Sequence, residues 1–336
     1  MSINLRDLVL QKDERATKRV WMGIGISKRI PKLPIDMLVP IYYMSKASER
    51  AVLLIADDLD AMGNFYPIEE ARKIGDEVEN QLHSMIKLLS ANNIEIMRWK
   101  DVVNDRYCGL YDLMCDPDFL GRNYEIEVET KRGKRIAKVN PLLRAKIALP
   151  SRIQKKVRDI PLSTKPLIKR WLGYVIGETA VTLWMAEKGY TTKVGHKGEK
   201  RYDVFSSQIY KILQEEGHVS RKPTFLYLVG GYDRIGRQVP HYDYCSEMIT
   251  VGDRLDEIKI TLTRGVPLHE FIHLPDRIRE EIANNPSYPE WCCTLLRLVG
   301  YECDPSIYAE WKKLEELAEL VYEKIVKPIQ NAERDG

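Results

Sequence analysis

Ser27 closes an apolar run, Val20-Trp21-Met22-Gly23-Ile24-Gly25-Ile26-Ser27. Open parallel sheets meet their ligands at the carboxyl ends of strands, so a serine there is a candidate nucleophile or ligand contact. Gly23 and Gly25 carry no side chain and let a substrate come close to the backbone. Asp57 ends a second apolar run, Ala51-Val52-Leu53-Leu54-Ile55-Ala56, and is a candidate for the same crevice. Capping a loop or a helix is the competing use of a serine or an aspartate at such a place.

A second set of groups lies between Leu167 and Lys188. Leu167, Trp171, Tyr174, Glu178, Val181 and Met185 recur at helical spacing and so share one face. That face is apolar and aromatic except for one acid. Tyr174 and Glu178 are four apart, which lets a phenol and a carboxylate act on one substrate group. An inward carboxylate needs a cation beside it. A substrate ammonium is one such cation; Lys169 or Arg170 is another.

His269-Glu270-Phe271-Ile272-His273 has the HExxH pattern, in which two imidazoles hold zinc and the glutamate acts as base. Pro267 and Pro275 leave room for barely two helical turns, and no clear third ligand follows, so packed or capping histidines suit the stretch as well. Neither GxGxxG nor GxxxxGK[ST] occurs, so no motif supports a dinucleotide or P-loop site.

Charge is uneven along the chain. Between Lys131 and Arg170 stand fourteen Lys or Arg residues and one acid, Asp159, a local +13 in a chain of net +3. Like charges so concentrated repel unless a polyanion neutralises them, which points to a nucleic-acid surface rather than a solvated face. Lys131, Arg132, Lys134, Arg135, Arg152, Lys155, Lys156 and Arg158 are the candidate contacts.

The elements that must position these groups alternate. Apolar strands at 20–27, 51–57 and 94–99 are separated by helices over 35–44 and from Pro67 to about Ser90, which predicts a parallel α/β sheet. Residues 124–129 and 135–139 read as a β-hairpin with a basic tip. Helices follow over 141–159 and 166–188, the second ending at Gly189, then a strand near Thr191–Gly195. Beyond a helix at 204–216, strands are expected at 225–229 and 258–263, and helices at 275–283, 289–299 and 305–325. The polar stretch Gly217–Pro223 is the best boundary. It divides a Rossmann-type domain, 1–216, from a mixed, mainly helical C-terminal extension, 217–336, which can pack on the first.

The 336 residues, 44% apolar and 30% charged, are those of a globular protein. No apolar run reaches the eighteen or so residues of a membrane span, and the first residues lack the layout of a secretory leader. Cys108, Cys115, Cys245, Cys292, Cys293 and Cys303 show no CxxC pair, and read as reduced, packed thiols of a cytoplasmic protein.

Gly25-Ile26-Ser27 after a strand, a strand ending in Asp57 before a long helix, and Tyr174-Val175-Ile176-Gly177-Glu178 on a later helix resemble the tRNA-dependent cyclodipeptide synthases. The resemblance covers roughly residues 20–200. It implies a Rossmann core like that of class I tyrosyl- and tryptophanyl-tRNA synthetases. It further implies that Ser27 accepts an aminoacyl group from charged tRNA as a serine ester, with Tyr174 and Glu178 holding the aminoacyl amine. Gly25 and Asp57 then line the substrate, the basic segment meets the tRNA, and no ATP, metal or other cofactor is required, because the ester to tRNA is already activated. Two departures stand out. Lys28-Arg29-Ile30-Pro31 follows the serine where the family has small polar residues. A family tyrosine on the next strand is replaced by Gly195-His196, leaving His196 and Tyr202 as the substrate-side candidates there. The expected activity is aminoacyl transfer through an aminoacyl-serine, giving a cyclodipeptide or a related aminoacylated product. The alternatives are a non-catalytic RNA-binding protein with a synthetase-like core and a zinc hydrolase using His269, Glu270 and His273.

Overall fold

The computed structural model describes residues 19–26, 37–64, 67–130, 133–148, 166–194, 200–221, 225–227, 231–232, 238–239, 287–308 and 310–331. The central element is a five-stranded sheet in the order β3-β2-β1-β6-β7. Its strands are β1 (Arg19–Ile24), β2 (Arg50–Ile55), β3 (Ile94–Arg98), β6 (Thr191–Val194) and β7 (Phe225–Tyr227). All four pairings are parallel, with Val20 opposite both Ala51 and Thr191. The order turns back between β1 and β6, and sheets of this kind take their ligands at the carboxyl ends of the strands beside such a reversal.

Alternation along the strands builds two cores. Val20, Met22, Ile24, Ala51, Leu53 and Ile55 face one side, against α1 (Leu38–Ala47) and α3 (Ile68–Leu88). Trp21, Val52 and Leu54 face the other, against α2 (Asp57–Asn64), α5 (Asp105–Cys115) and α8 (Pro166–Glu187). Runs that are apolar at every position suit strands covered on both faces.

Two stretches are more helical than the sequence reading has them. Asp57 does not end a strand; it opens α2, whose first turn holds Asp57, Asp58 and Asp60. Carboxylates are favoured there by the partial positive charge of a helix N-terminus. Between β3 and the hairpin, α4 (Trp99–Val102), α5 and α6 (Pro117–Gly121) fill a stretch with no expected element. Asn104 caps Tyr107, and Asp116 caps Asp118 and Phe119.

The hairpin forms as expected from β4 (Tyr124–Thr130) and β5 (Gly133–Val139). The next helix, α7, is described over Pro141–Ala148. Helix α8 ends with Gly189 at φ +82°, where the Gly189 and Tyr190 amides donate to Ala186 and Met185. Helix α9 (Lys200–Glu215) precedes β7.

Near the C-terminus, α10 (Ser287–Leu298) and α11 (Trp311–Val321) pack on the first core. Helix α11 runs on through a π turn, Tyr322–Val326, to Asn331. Cys292, Leu295, Leu296, Leu314, Leu317, Val321 and Ile325 join Ile24 and Leu53 there. A single helix over 305–325 does not form. Asp304 caps a short 3-10 turn at Pro305–Ile307, and the α-helix restarts at Trp311.

One expectation about the thiols is corrected: Cys293 and Cys303 form a disulfide, with Cα atoms 5.0 Å apart. Gly300, at φ +89°, turns the chain back after α10 and brings Cys303 alongside that helix. Cys108, Cys115 and Cys292 are free. The strand expected at 258–263, the helix at 275–283 and Cys245 lie outside the described residues. Among those described, no helix is long and apolar enough to cross a membrane.

Candidate active site

Strand β1 releases the chain at Gly25-Ile26. The Ile26 amide donates to Asp60 Oδ2 at 2.6 Å. A Cβ on Gly25 would lie 3.3 Å from the same oxygen, so the carboxyl comes against the strand end where a side chain would crowd it. Ser27 follows Ile26 in the chain and lies outside the described residues.

Helix α8 lies across α2 through glycines on both. The Tyr174 ring covers Gly63, where a Cβ would stand 2.6 Å from Cδ2. The ring also stacks on Trp171, with centroids 5.1 Å apart and planes 27° from parallel. Gly177 lies against Leu59, where a Cβ would stand 2.5 Å from Cδ1. Held this way, Tyr174 has little rotational freedom, and its hydroxyl donates to Glu178 Oε1 at 2.9 Å. Burial, then the charges of Glu178 and Asp60, raise the Tyr174 phenol well above its ordinary value. Tyr174 therefore stays a hydrogen-bond donor across the working pH range. Arg170, one turn earlier, ties the two helices by donating to the Ala61 carbonyl at 2.9 Å.

Asp60 was not among the residues singled out by sequence. It is 6% exposed. Burial pushes its carboxyl up to about 7; the Ile26 amide pulls it down, while Glu178 and Asp57 add to the rise. Asp57 has a different partner. Arg98 donates to Asp57 Oδ2 through Nε at 3.0 Å and also through Nη2. The same guanidinium donates to Asp76 at 2.6 Å and Glu79 at 2.8 Å. These partners outweigh burial and raise its proton affinity. A Cβ on Gly75 would stand 2.5 Å from Arg98 Nη2, so the glycine leaves the passage that the guanidinium uses.

The structure thus brings together Gly25, Ile26, Asp60, Tyr174 and Glu178 at the carboxyl end of β1. It places Asp57 at the start of α2, engaged by Arg98. Tyr202 falls in the first turn of α9. His196, Lys131, Arg132, Arg152, Lys155, Lys156 and Arg158 lie outside the described residues, as do His269, Glu270 and His273. No metal-binding group of His, Cys, Asp and Glu occurs among the described residues.

Counter-charge for part of the basic segment comes from the strand before it. Lys134 pairs with Glu127 at 2.9 Å and Lys138 with Glu125 at 3.5 Å. Cross-strand pairing sets these acids against bases that a sequence window separates. Arg135 is exposed on β5.

No protein-family model matches the chain, and the curated proteins give no match. Among solved structures, tyrosyl-tRNA synthetase from Pyrococcus horikoshii, complexed with L-tyrosine, is similar at TM-score 0.50 and 12% identity. The match covers 95% of this chain and 89% of that one. The chain shares its Rossmann-type fold with this synthetase. A CDPS from Fluoribacter dumoffii matches at TM-score 0.42 and 14% identity, over 65% of this chain and 93% of that one. AlbC, a cyclodipeptide synthase from Streptomyces noursei, matches at 0.36 and 9%, over 63% and 96%. In this Rossmann-type fold the Tyr174–Glu178 pair and Asp60 stand where the strand order reverses, the place such sheets use for ligands.

Proposed function

We propose that the chain transfers aminoacyl groups from charged tRNA, with Ser27 as acyl acceptor. The observation that carries this reading is the Tyr174–Glu178 hydrogen bond at the carboxyl end of β1, beside the Ile26 amide that precedes Ser27. A phenol held as donor next to a carboxylate suits a primary ammonium: Glu178 offers the charge, and Tyr174 fixes the direction in which it is offered.

In the transfer, Ser27 Oγ bonds to the aminoacyl carbonyl carbon. The bond from that carbon to the tRNA ribose oxygen breaks, and the serine proton passes to that oxygen, leaving a ribose hydroxyl. One ester replaces another, so the step needs no external energy source. The amine of a second aminoacyl-tRNA attacking the acyl-serine carbonyl forms a peptide bond and returns the proton to Ser27 Oγ. The remaining free amine then attacks the ester of that dipeptidyl-tRNA, releasing the second tRNA and closing the cyclodipeptide, whereas another amine acceptor gives a linear aminoacylated product. Gly25 leaves room at the strand end for the Asp60 carboxyl, and His196 and Tyr202 are the further substrate-side candidates.

The tRNA contact is assigned to Lys131, Arg132, Lys134, Arg135, Arg152, Lys155, Lys156 and Arg158. Exposed ion pairs are worth at most about 1 kcal/mol, so phosphates can displace the Glu127–Lys134 pair. The catalytic unit is residues 1–216. The extension, 217–336, contributes α10 and α11 to its core. The reading places the chain in the cytoplasm, where the Cys293–Cys303 bond faces reducing conditions.

Incubation with charged tRNA, followed by peptide mass analysis, tests the reading. An aminoacyl mass is expected on the peptide containing Ser27 and is lost in Ser27→Ala. A wild-type peptide left unmodified by tRNAs charged with every amino acid sinks it.

A further inference from the structure

Asp57 and Asp60 stand one turn apart on α2, and both are buried, at 3% and 6% exposure. Their partners differ. Asp57 has the Arg98 guanidinium. Asp60 has, among the described residues, the Ile26 amide and no cation. The groups that act on it from each side are Asp57 on its own helix, the Ile26 amide from the strand end, and Glu178 from α8, with Tyr174 bonded to Glu178. Arg170, also on α8, is turned to the carbonyl of Ala61, the residue after Asp60.

A carboxylate out of water with one neutral donor and a second acid nearby is expensive in its charged form. Protonation removes that cost and keeps one oxygen free to accept the amide.

We propose that Asp60 is a positioning residue that holds a proton for this site: as a neutral acid it fastens the Ile26 amide at the end of β1, and it leaves Glu178 to bear the negative charge beside Tyr174. Its carboxyl, pushed up to about 7 chiefly by burial, changes charge within the physiological range. Ionisation of Asp60 sets a second negative charge near Glu178. The use made of that charge rests on the function proposed above; the proton itself rests on the geometry.

The test is a carbon-13 NMR titration of the full chain labelled in its aspartate carboxyls, with Asp60→Asn assigning the resonance. Asparagine keeps a carbonyl oxygen for the Ile26 amide. The expected midpoint is about 7, against about 4 for an ordinary aspartate. Glu178→Gln should lower it by about one pH unit as the neighbouring charge disappears. If Asp60→Asn does not fold, the resonance whose midpoint moves in Glu178→Gln identifies Asp60. A midpoint between about 3 and 5 for every aspartate but those held by arginine overturns the proposal. So does a midpoint that Glu178→Gln leaves unchanged. Absence of acylation at Ser27 in the wild type would defeat the proposed function instead, and the titration would still decide the proton.

Discussion

The Tyr174 hydroxyl lies 2.9 Å from Glu178 Oε1, one helical turn along α8, with the tyrosine ring confined by Gly63 and Trp171. Confinement makes the direction of the bond a property of the fold rather than of a free rotamer. Hydrogen bonds to charged groups contribute about 1.5–3 kcal/mol, or roughly 10- to 150-fold in rate when they act on the reacting species. Glu178→Gln is therefore expected to slow acylation of Ser27 by roughly that factor. Tyr174→Phe should slow it by about tenfold. Both variants should keep the wild-type circular dichroism spectrum, and single-turnover acylation with charged tRNA measures the loss.

Gly63 and Gly109 give opposite answers to the same substitution. A Cβ at Gly63 would press into the Tyr174 ring at 2.6 Å, while at Gly109 it meets nothing within 4 Å. Gly63→Ala should destabilise the chain by about 1–3 kcal/mol and slow acylation by displacing the ring. Gly109→Ala, in the middle of α5, should stabilise it by up to about 1 kcal/mol and leave acylation alone. Urea denaturation of the two variants checks the signs.

Arg98 holds Asp57 in the interior, so removing the guanidinium strands a charge. Arg98→Met is expected to cost about 3–5 kcal/mol in urea unfolding at pH 7, because the Asp57 carboxylate loses its cation. The double variant Arg98→Met, Asp57→Asn should recover part of that loss. Equal stability of the single and double variants would show that the charge of Asp57 is not the cause.

Asp60 makes stability depend on pH with a definite sign. Its folded carboxyl sits at about 7, above the ordinary 3.8. The stabilising contribution of the bound proton is therefore complete below about pH 4 and is lost as pH rises through 7. Asp60→Asn carries no such proton, so it should match the wild type near pH 4 and exceed it by about 2–4 kcal/mol at pH 8. Thermal melting of both proteins across this range measures the divergence. Parallel pH curves would contradict a raised Asp60.

Several parts of the site are legible in the residues. The Tyr174–Glu178 pair follows from spacing, since residues four apart on a helix must be neighbours. The strand at 19–24 and its parallel partners follow from runs that are apolar at every position. The helix at Asp57 carried a signal as well: acids at Asp57, Asp58 and Asp60 mark a helix start. The apolar strand just before it outweighs that signal, and hides Asp60 along with the helix start. The caps at Asn104 and Asp116 were similarly present but sat in a polar stretch with a weak apolar stripe.

What the sequence determined by itself is local: where most of the strands and helices fall, that Tyr174 and Glu178 are neighbours on α8, and where positive charge accumulates. These depend on neighbours within a few positions, whose geometry the backbone repeats dictate. The tertiary structure decided which buried acid receives a cation and which does not. Asp57 meets Arg98 across 41 positions, and Asp60 meets the Ile26 amide across 34. The two aspartates are alike in type and one turn apart. Only the packing of α2 between the end of β1 and α8, with β3 bringing Arg98 to its first turn, makes one an ion-pair partner and the other a buried acid.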